Sequence, residues 1–77
     1  MSNFVAVDAR ATGSNILAMR KAAGMTVKDL QTVFGFASPQ AIYKWQSGQA
    51  LPTLDNLVVL SETFSVSIDD IVMRKTF

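Results

Sequence analysis

Gln40, Tyr43, Lys44 and Ser47 fall within one short stretch of this chain. At about 100° per residue they share one arc of a helix, and Ala41, Ile42 and Trp45 share the opposite arc. The first set offers two hydrogen-bonding side chains, a hydroxyl and a cation, a combination suited to the edges of base pairs in a DNA groove. Every amphipathic helix has a polar side, however. On this stretch alone an ordinary solvated face explains the patch more simply, so the decision rests on the elements around it.

The helix that carries the patch, 38–47, is punctuated at both ends. Ser38 can accept from the first free N–H groups, Pro39 suits the first helical position, and Gly48 can take the left-handed conformation that ends a helix. A preceding helix starts at Thr26, with Asp29 in the capping-box position and Met25 able to staple onto Leu30. It runs to about Phe34 and stops at Gly35, with Leu30, Val33 and Phe34 as its core side. Only Gly35, Phe36 and Ala37 then precede Ser38, which is the spacing of a helix-turn-helix. Lys28 projects from the first turn of its helix, where a cation opposes the helix dipole, so an external anion is a better reason for it than local structure.

The flanking segments complete an all-α domain. Thr12 reads as the N-cap of a first helix reaching about Ala23, with Ile16, Met19 and Ala23 on one face and Gly24 ending it. Arg20 and Lys21 lie in its last turn, where they either complement the dipole or meet phosphate. Thr53 caps a fourth helix with Leu54, Leu57, Leu60, Ser61 and Phe64 at buried spacing, and Pro52 can staple onto Leu57. Ser67 and Asp70 repeat the capping box for a short fifth helix to about Met73, with Val66 opposite Ile71. The predicted organisation is an arm over residues 1–11, left open between a frayed end, an extended segment and a dimer contact, then a five-helix domain over 12–73 and a tail over 74–77 that frays unless Phe77 finds a partner.

Composition narrows the function. With 77 residues there is one small core and no second domain for sensing a ligand. Cysteine and histidine are absent and the six acids are scattered. No disulfide, metal centre, cofactor site or nucleophile–base pair is expected, and an enzyme is disfavoured. No apolar run is long enough for a membrane span and no secretory signal is evident, which fits a cytoplasmic, nucleoid-associated protein. Net charge is only +1, but it is unevenly spread. In residues 1–50, Arg10, Arg20, Lys21, Lys28 and Lys44 outnumber Asp8 and Asp29 by three; beyond residue 50, Asp55, Glu62, Asp69 and Asp70 outnumber Arg74 and Lys75 by two. The first part would attract a polyanion and the second would not.

The runs G-S-N-I-L-A-M-R-K-A-A-G-M-T-V-K-D-L-Q and F-G-F-A-S-P-Q-A-I-Y-K-W-Q-S-G-Q-A-L-P-T-L-D-N-L, and above all A-I-x-K-W-x-x-G-x-x-L-P before a capped apolar helix, resemble the phage-repressor and Cro-type helix-turn-helix family, lambda-repressor-like in fold. The resemblance covers about residues 12–72. It implies that the third helix enters the major groove of double-stranded DNA, with Gln40, Tyr43 and Lys44 at exposed recognition positions and Ser38 and Pro39 at the groove-entering end. Ile42 and Trp45 match core positions, while Lys28, Ser47 and Gln49 match regions that meet phosphate. One domain covers only a half-site, so a homodimer on a two-fold site is implied. Val58, Val59, Val72, Met73 and Phe77 supply apolar surface that either makes that contact or finishes the core.

Three departures from the family pattern stand out. Val27 occupies a position where relatives often have a phosphate-gripping Gln. Gln31 replaces a small residue at the close approach of the second and third helices, and the span from Gly35 to Trp45 is one residue longer than usual; the extra residue would make room for the larger side chain. Gln46 stands where Glu is common, so the expected ion pair with Arg20 becomes a hydrogen bond and frees Arg20 for phosphate. The pattern implies a transcriptional regulator, expected to be a repressor. A protein-interaction module that retains the fold, such as an antitoxin or adaptor, is the alternative, because Leu17 and Ala18 stand where relatives often carry cations.

Overall fold

A computed structural model describes residues 4–76. Five helices follow in order: α1 (Ala9–Ala22), α2 (Val27–Phe34), α3 (Gln40–Ser47), α4 (Leu54–Phe64) and α5 (Ile68–Ile71). Two short strands, β1 (Val5–Val7) and β2 (Arg74–Thr76), form an antiparallel pair.

Each helix contributes to one core. Ile16 from α1, Leu30 from α2, Ile42 and Trp45 from α3, Leu60 from α4 and Ile71 from α5 are buried together. Met19, Ala41, Leu57 and Phe64, also expected inside, pack around this cluster while keeping part of their surface exposed. Val33 and Leu54 were expected on the core side and are exposed instead. Each lies roughly 90–110° around its helix from the middle of the apolar stripe, so a position that looks hydrophobic in sequence is carried past the core.

Local capping sets most helix starts. Thr26 accepts from the Asp29 N–H at 3.0 Å while the Asp29 carboxylate accepts from the Thr26 N–H at 2.9 Å. That backbone N–H first, and the Thr26 hydroxyl second, hold the Asp29 carboxyl below its ordinary value. Ser67 and Asp70 form the same reciprocal pair, and Thr53 accepts from the Asn56 N–H.

α1 begins earlier than expected. Asp8 is its N-cap, accepting from the Ala11 N–H at 2.9 Å. Thr12 is instead buried inside the helix, and its hydroxyl accepts from the Met73 N–H at 2.9 Å. Asp8 therefore does the local work assigned to Thr12, which frees Thr12 to satisfy a backbone group after α5. Asn15 lies one turn further on and donates to the carbonyls of Asp70 and Ile71 at 2.8 and 3.1 Å, capping the end of α5. These bonds explain why α5 stops at Ile71 and why residues 74–76 run back along β1 instead of fraying. Met73 and Val58 are exposed, Val59 and Val72 are half-buried, and Phe77 lies outside the described residues.

α1 and α3 approach each other very closely. A Cβ placed on Gly13 would stand 2.0 Å from the Trp45 carbonyl oxygen and 3.0 Å from the Gln46 carbonyl, so the two backbones touch. At the end of α3, Gly48 has φ +79° and is also close to α1, a Cβ there standing 2.8 Å from the Arg10 Cα. Gly24, by contrast, has a positive φ but open space around it. Gly13→Ala is expected to lower stability by about 3 kcal/mol, because the helices must separate. Gly24→Ala should lose only about 1 kcal/mol, from backbone strain alone. Urea unfolding of the two variants checks this order.

Candidate nucleic-acid interface

The candidate site is built on α2, a turn over 35–39, and α3. Gly35, with φ 68°, ends α2 in the left-handed conformation. The turn then folds Phe36 back over the unit. Phe34 and Phe36 stack with ring centres 4.9 Å apart, and each meets the Trp45 ring edge-on, at 5.3 and 5.9 Å. This triad joins the end of α2, the turn and the buried side of α3. Aromatic pairs of this kind contribute ~0.5–1.5 kcal/mol each beyond the area they bury.

Gln31 completes the turn. Its side chain is half-buried and donates from Nε2 to the Phe36 carbonyl at 3.1 Å. The Gln31 side chain thus ties α2 to the turn that follows it.

α3 starts one or two residues later than its sequence punctuation indicates. Gln40 is its first residue, Pro39 takes the boundary position with φ −83° and ψ 4°, and no side chain caps the helix. Ser38 is exposed and does not cap. The aromatic packing of Phe36 decides this: the chain needs residues 37–39 to travel from that ring to the start of α3. The leading N–H groups of α3 are consequently not occupied by a side-chain acceptor.

From that start, Gln40, Tyr43, Lys44 and Ser47 all emerge on the exposed side, opposite buried Ile42 and Trp45. Tyr43 is 53% exposed. An open groove of about 410 Å³ runs along the same flank, with Ser38, Gln40 and Lys44 on its rim and Phe36, Ala41 and Trp45 on its floor. Ser47 turns its hydroxyl back to the Lys44 carbonyl at 3.3 Å and accepts from Gln49 Nε2 at 3.0 Å, so Ser47 and Gln49 form one small polar unit at the end of the helix. Lys28 is exposed on the first turn of α2.

Arg20 does not join this surface. It is only 8% exposed, donating from Nε to Gln46 Oε1 at 2.9 Å and from Nη1 to the Met25 carbonyl at 2.8 Å. The hydrogen bond to Gln46 is the one expected, but the release of Arg20 toward phosphate is not: two internal acceptors hold the guanidinium between α1, the entry to α2, and α3. Gly13, Asn15 and Phe36 help to position α3 and its surroundings and were not singled out in the sequence, while Thr12 was read only as a cap. Only Gly13, a glycine within an otherwise helical pattern, carried a signal that could have flagged it.

Arg20 makes a test of the brace possible. Gln46→Ala removes an acceptor from a buried cation and is expected to lower stability by about 2 kcal/mol. Gln46→Glu restores an acceptor and should recover most of that loss in the same denaturation measurement.

Comparison with known proteins agrees with this architecture. A helix-turn-helix family model matches residues 16–71. No curated protein matches the chain. Among solved structures, the restriction-modification controller protein C.AhdI from Aeromonas hydrophila is similar with a TM-score of 0.73 and 19% identity, over 83% of this chain and 96% of that one. The DNA-binding domain of BldD from S. venezulae is similar with a TM-score of 0.73 and 16% identity, over 86% of this chain and 97% of that one. A second structure of the BldD DNA-binding domain gives a TM-score of 0.72 at 16% identity, over 86% and 94%. With the match spanning α1 to α5 and the turn between α2 and α3 in place, the chain belongs to the lambda-repressor-like helix-turn-helix family of DNA-binding transcription regulators.

Proposed function

We propose that this protein is a sequence-specific repressor that reads the major groove of double-stranded DNA with α3. The observation that carries the reading is the division of α3 itself: Ile42 and Trp45 anchor it in the core, and Gln40, Tyr43 and Lys44 stand together in solvent. An amide such as Gln40 can bond an adenine edge bidentately, and Lys44 can donate to guanine acceptors, each such contact giving ~1–3 kcal/mol of discrimination. Tyr43 adds a hydroxyl and an apolar ring beside them. Ser38 and Pro39 sit at the leading end of the helix, where the chain would enter the groove.

Phosphate contacts fall to Lys28, on one side, and to the Ser47–Gln49 pair, on the other, with free N–H groups at the start of α3 in support. Arg20 is assigned to holding the reading unit together. A single domain spans one half-site, so the working form is a homodimer on a two-fold operator with half-sites ~34 Å apart. Its place of action is the nucleoid. Similarity in fold to a restriction-modification controller protein and to a DNA-binding domain supports a regulatory role.

Gel-shift titration on a random duplex pool at two salt concentrations tests the proposal first. Binding at low salt that weakens at high salt is expected, and no shift at either would sink it. Sequences selected from that pool should then show two-fold symmetry. On the selected site, Gln40→Ala should relax preference at one or two base pairs, whereas Lys28→Ala should weaken binding to all sequences alike and reduce the salt slope by about one. Identical behaviour of the two variants would contradict the assigned roles.

A further inference from the structure

The β1–β2 pair leaves two strand edges, and they differ in chemistry. The register pairs Val5 with Thr76, Ala6 with Lys75 and Val7 with Arg74. One step further along, the Asp8 N–H donates to the Met73 carbonyl at 2.8 Å. Antiparallel ladders alternate between bonded and non-bonded pairs. Since Asp8 and Met73 are a bonded pair, Ala6 and Lys75 are bonded too, and the N–H and C=O groups of Val5 and Val7 point away from β2. Val5 is 58% exposed and Val7 41%.

We propose that this outer edge of β1 pairs with the same edge of a second copy of the chain, antiparallel about a two-fold axis through Ala6, giving a four-stranded sheet. With Ala6 opposite its own copy, Val5 of each chain faces Val7 of the other, and each facing pair exchanges two backbone hydrogen bonds. All four outward-pointing N–H groups of the two β1 strands then find acceptors. The residue at the axis is the smallest of the three, so the side chains there do not collide.

Charge selects β1 over β2. The same operation on the outer edge of β2 would set Lys75 opposite Lys75, with Arg74 nearby, and like charges directly opposite each other destabilise a strand pair. Charged side chains on an edge strand are a common guard against such pairing. β1 carries no charge at all in Val5–Val7. A mixed contact of β1 with β2 is not closed by a two-fold axis and would continue into an open array. The second copy docked β1 to β1 is therefore the one occupant that matches both the free backbone groups and the charges.

The association needs no DNA and is tested without it, so its outcome is independent of the base-reading assignment. Sedimentation velocity of the full chain, from low micromolar to several hundred micromolar, should show a monomer–dimer equilibrium. Val5→Pro, which removes an outward N–H, and Val5→Lys, which places a charge on the edge, should each weaken it by at least about tenfold. Neither change touches the internal ladder through Ala6, so helical circular dichroism should persist in at least the Lys variant. Leu54→Lys, on an exposed position of α4, should leave the equilibrium unchanged. A monomer at every concentration, a dimer indifferent to Val5→Lys, a dimer lost on Leu54→Lys, or growth beyond two copies would each overturn the proposal.

Discussion

The contact on which the rest of this structure depends is between two backbones. Gly13 of α1 rests directly on the Trp45 and Gln46 carbonyls of α3, with no side chain between them. Such proximity fixes how far apart and at what angle the two helices lie, because a hard contact cannot be relaxed by choosing another rotamer. Other placements follow from it. Arg20, two turns beyond Gly13 on α1, comes within reach of Gln46 and of the carbonyl before α2. Trp45 is held where Phe34 and Phe36 can close around it. The exposed arc of α3 is therefore oriented from behind, by α1, and from the side, by the aromatic turn.

This arrangement separates positioning from recognition. The residues that hold α3 use apolar area, aromatic edges and two charge-assisted hydrogen bonds from one guanidinium, all shielded from water. The residues on the exposed arc of α3 are polar and solvated. Substitutions at Gln40 or Tyr43 thus have little to disturb, and the preference of the surface can change without loss of the scaffold. The net charge of +1 is modest, and the cations of α2 and α3 are Lys28 and Lys44, both exposed.

How much of this was legible depended on how local each cause is. The caps at Thr26, Thr53 and Ser67 are set by residues three positions away, and they were read correctly along with the five helices and the inward side of α3. Where distant parts of the chain decide, local signals misled. Ser38 and Pro39 look like a helix start, yet the need to bring Phe36 onto Trp45 draws them into the turn. Thr12 looks like a cap, yet Met73, far along the chain, claims its hydroxyl. Arg20 looks available because Gln46 lacks the charge of Glu, yet a neutral oxygen and a backbone carbonyl suffice to bury it. The strands at 5–7 and 74–76 are too short to show alternation, and their pairing joins residues far apart in sequence.

That pairing also bears on connectivity. With Val5 beside Thr76 and Asp8 bonded to Met73, the described part of the chain closes on itself, residues 5–8 lying against residues 73–76. A covalent cross-link between the two paired strands would deprive the unfolded chain of much of its freedom, an entropic effect of about 4 kcal/mol for a loop of this size. The continuity of the chain could equally be interrupted elsewhere once the two strands are joined, for instance in the exposed Gln49–Leu51 loop. The domain is thus defined by a cyclic order of helices, and its linear order is one of several ways of cutting the circle.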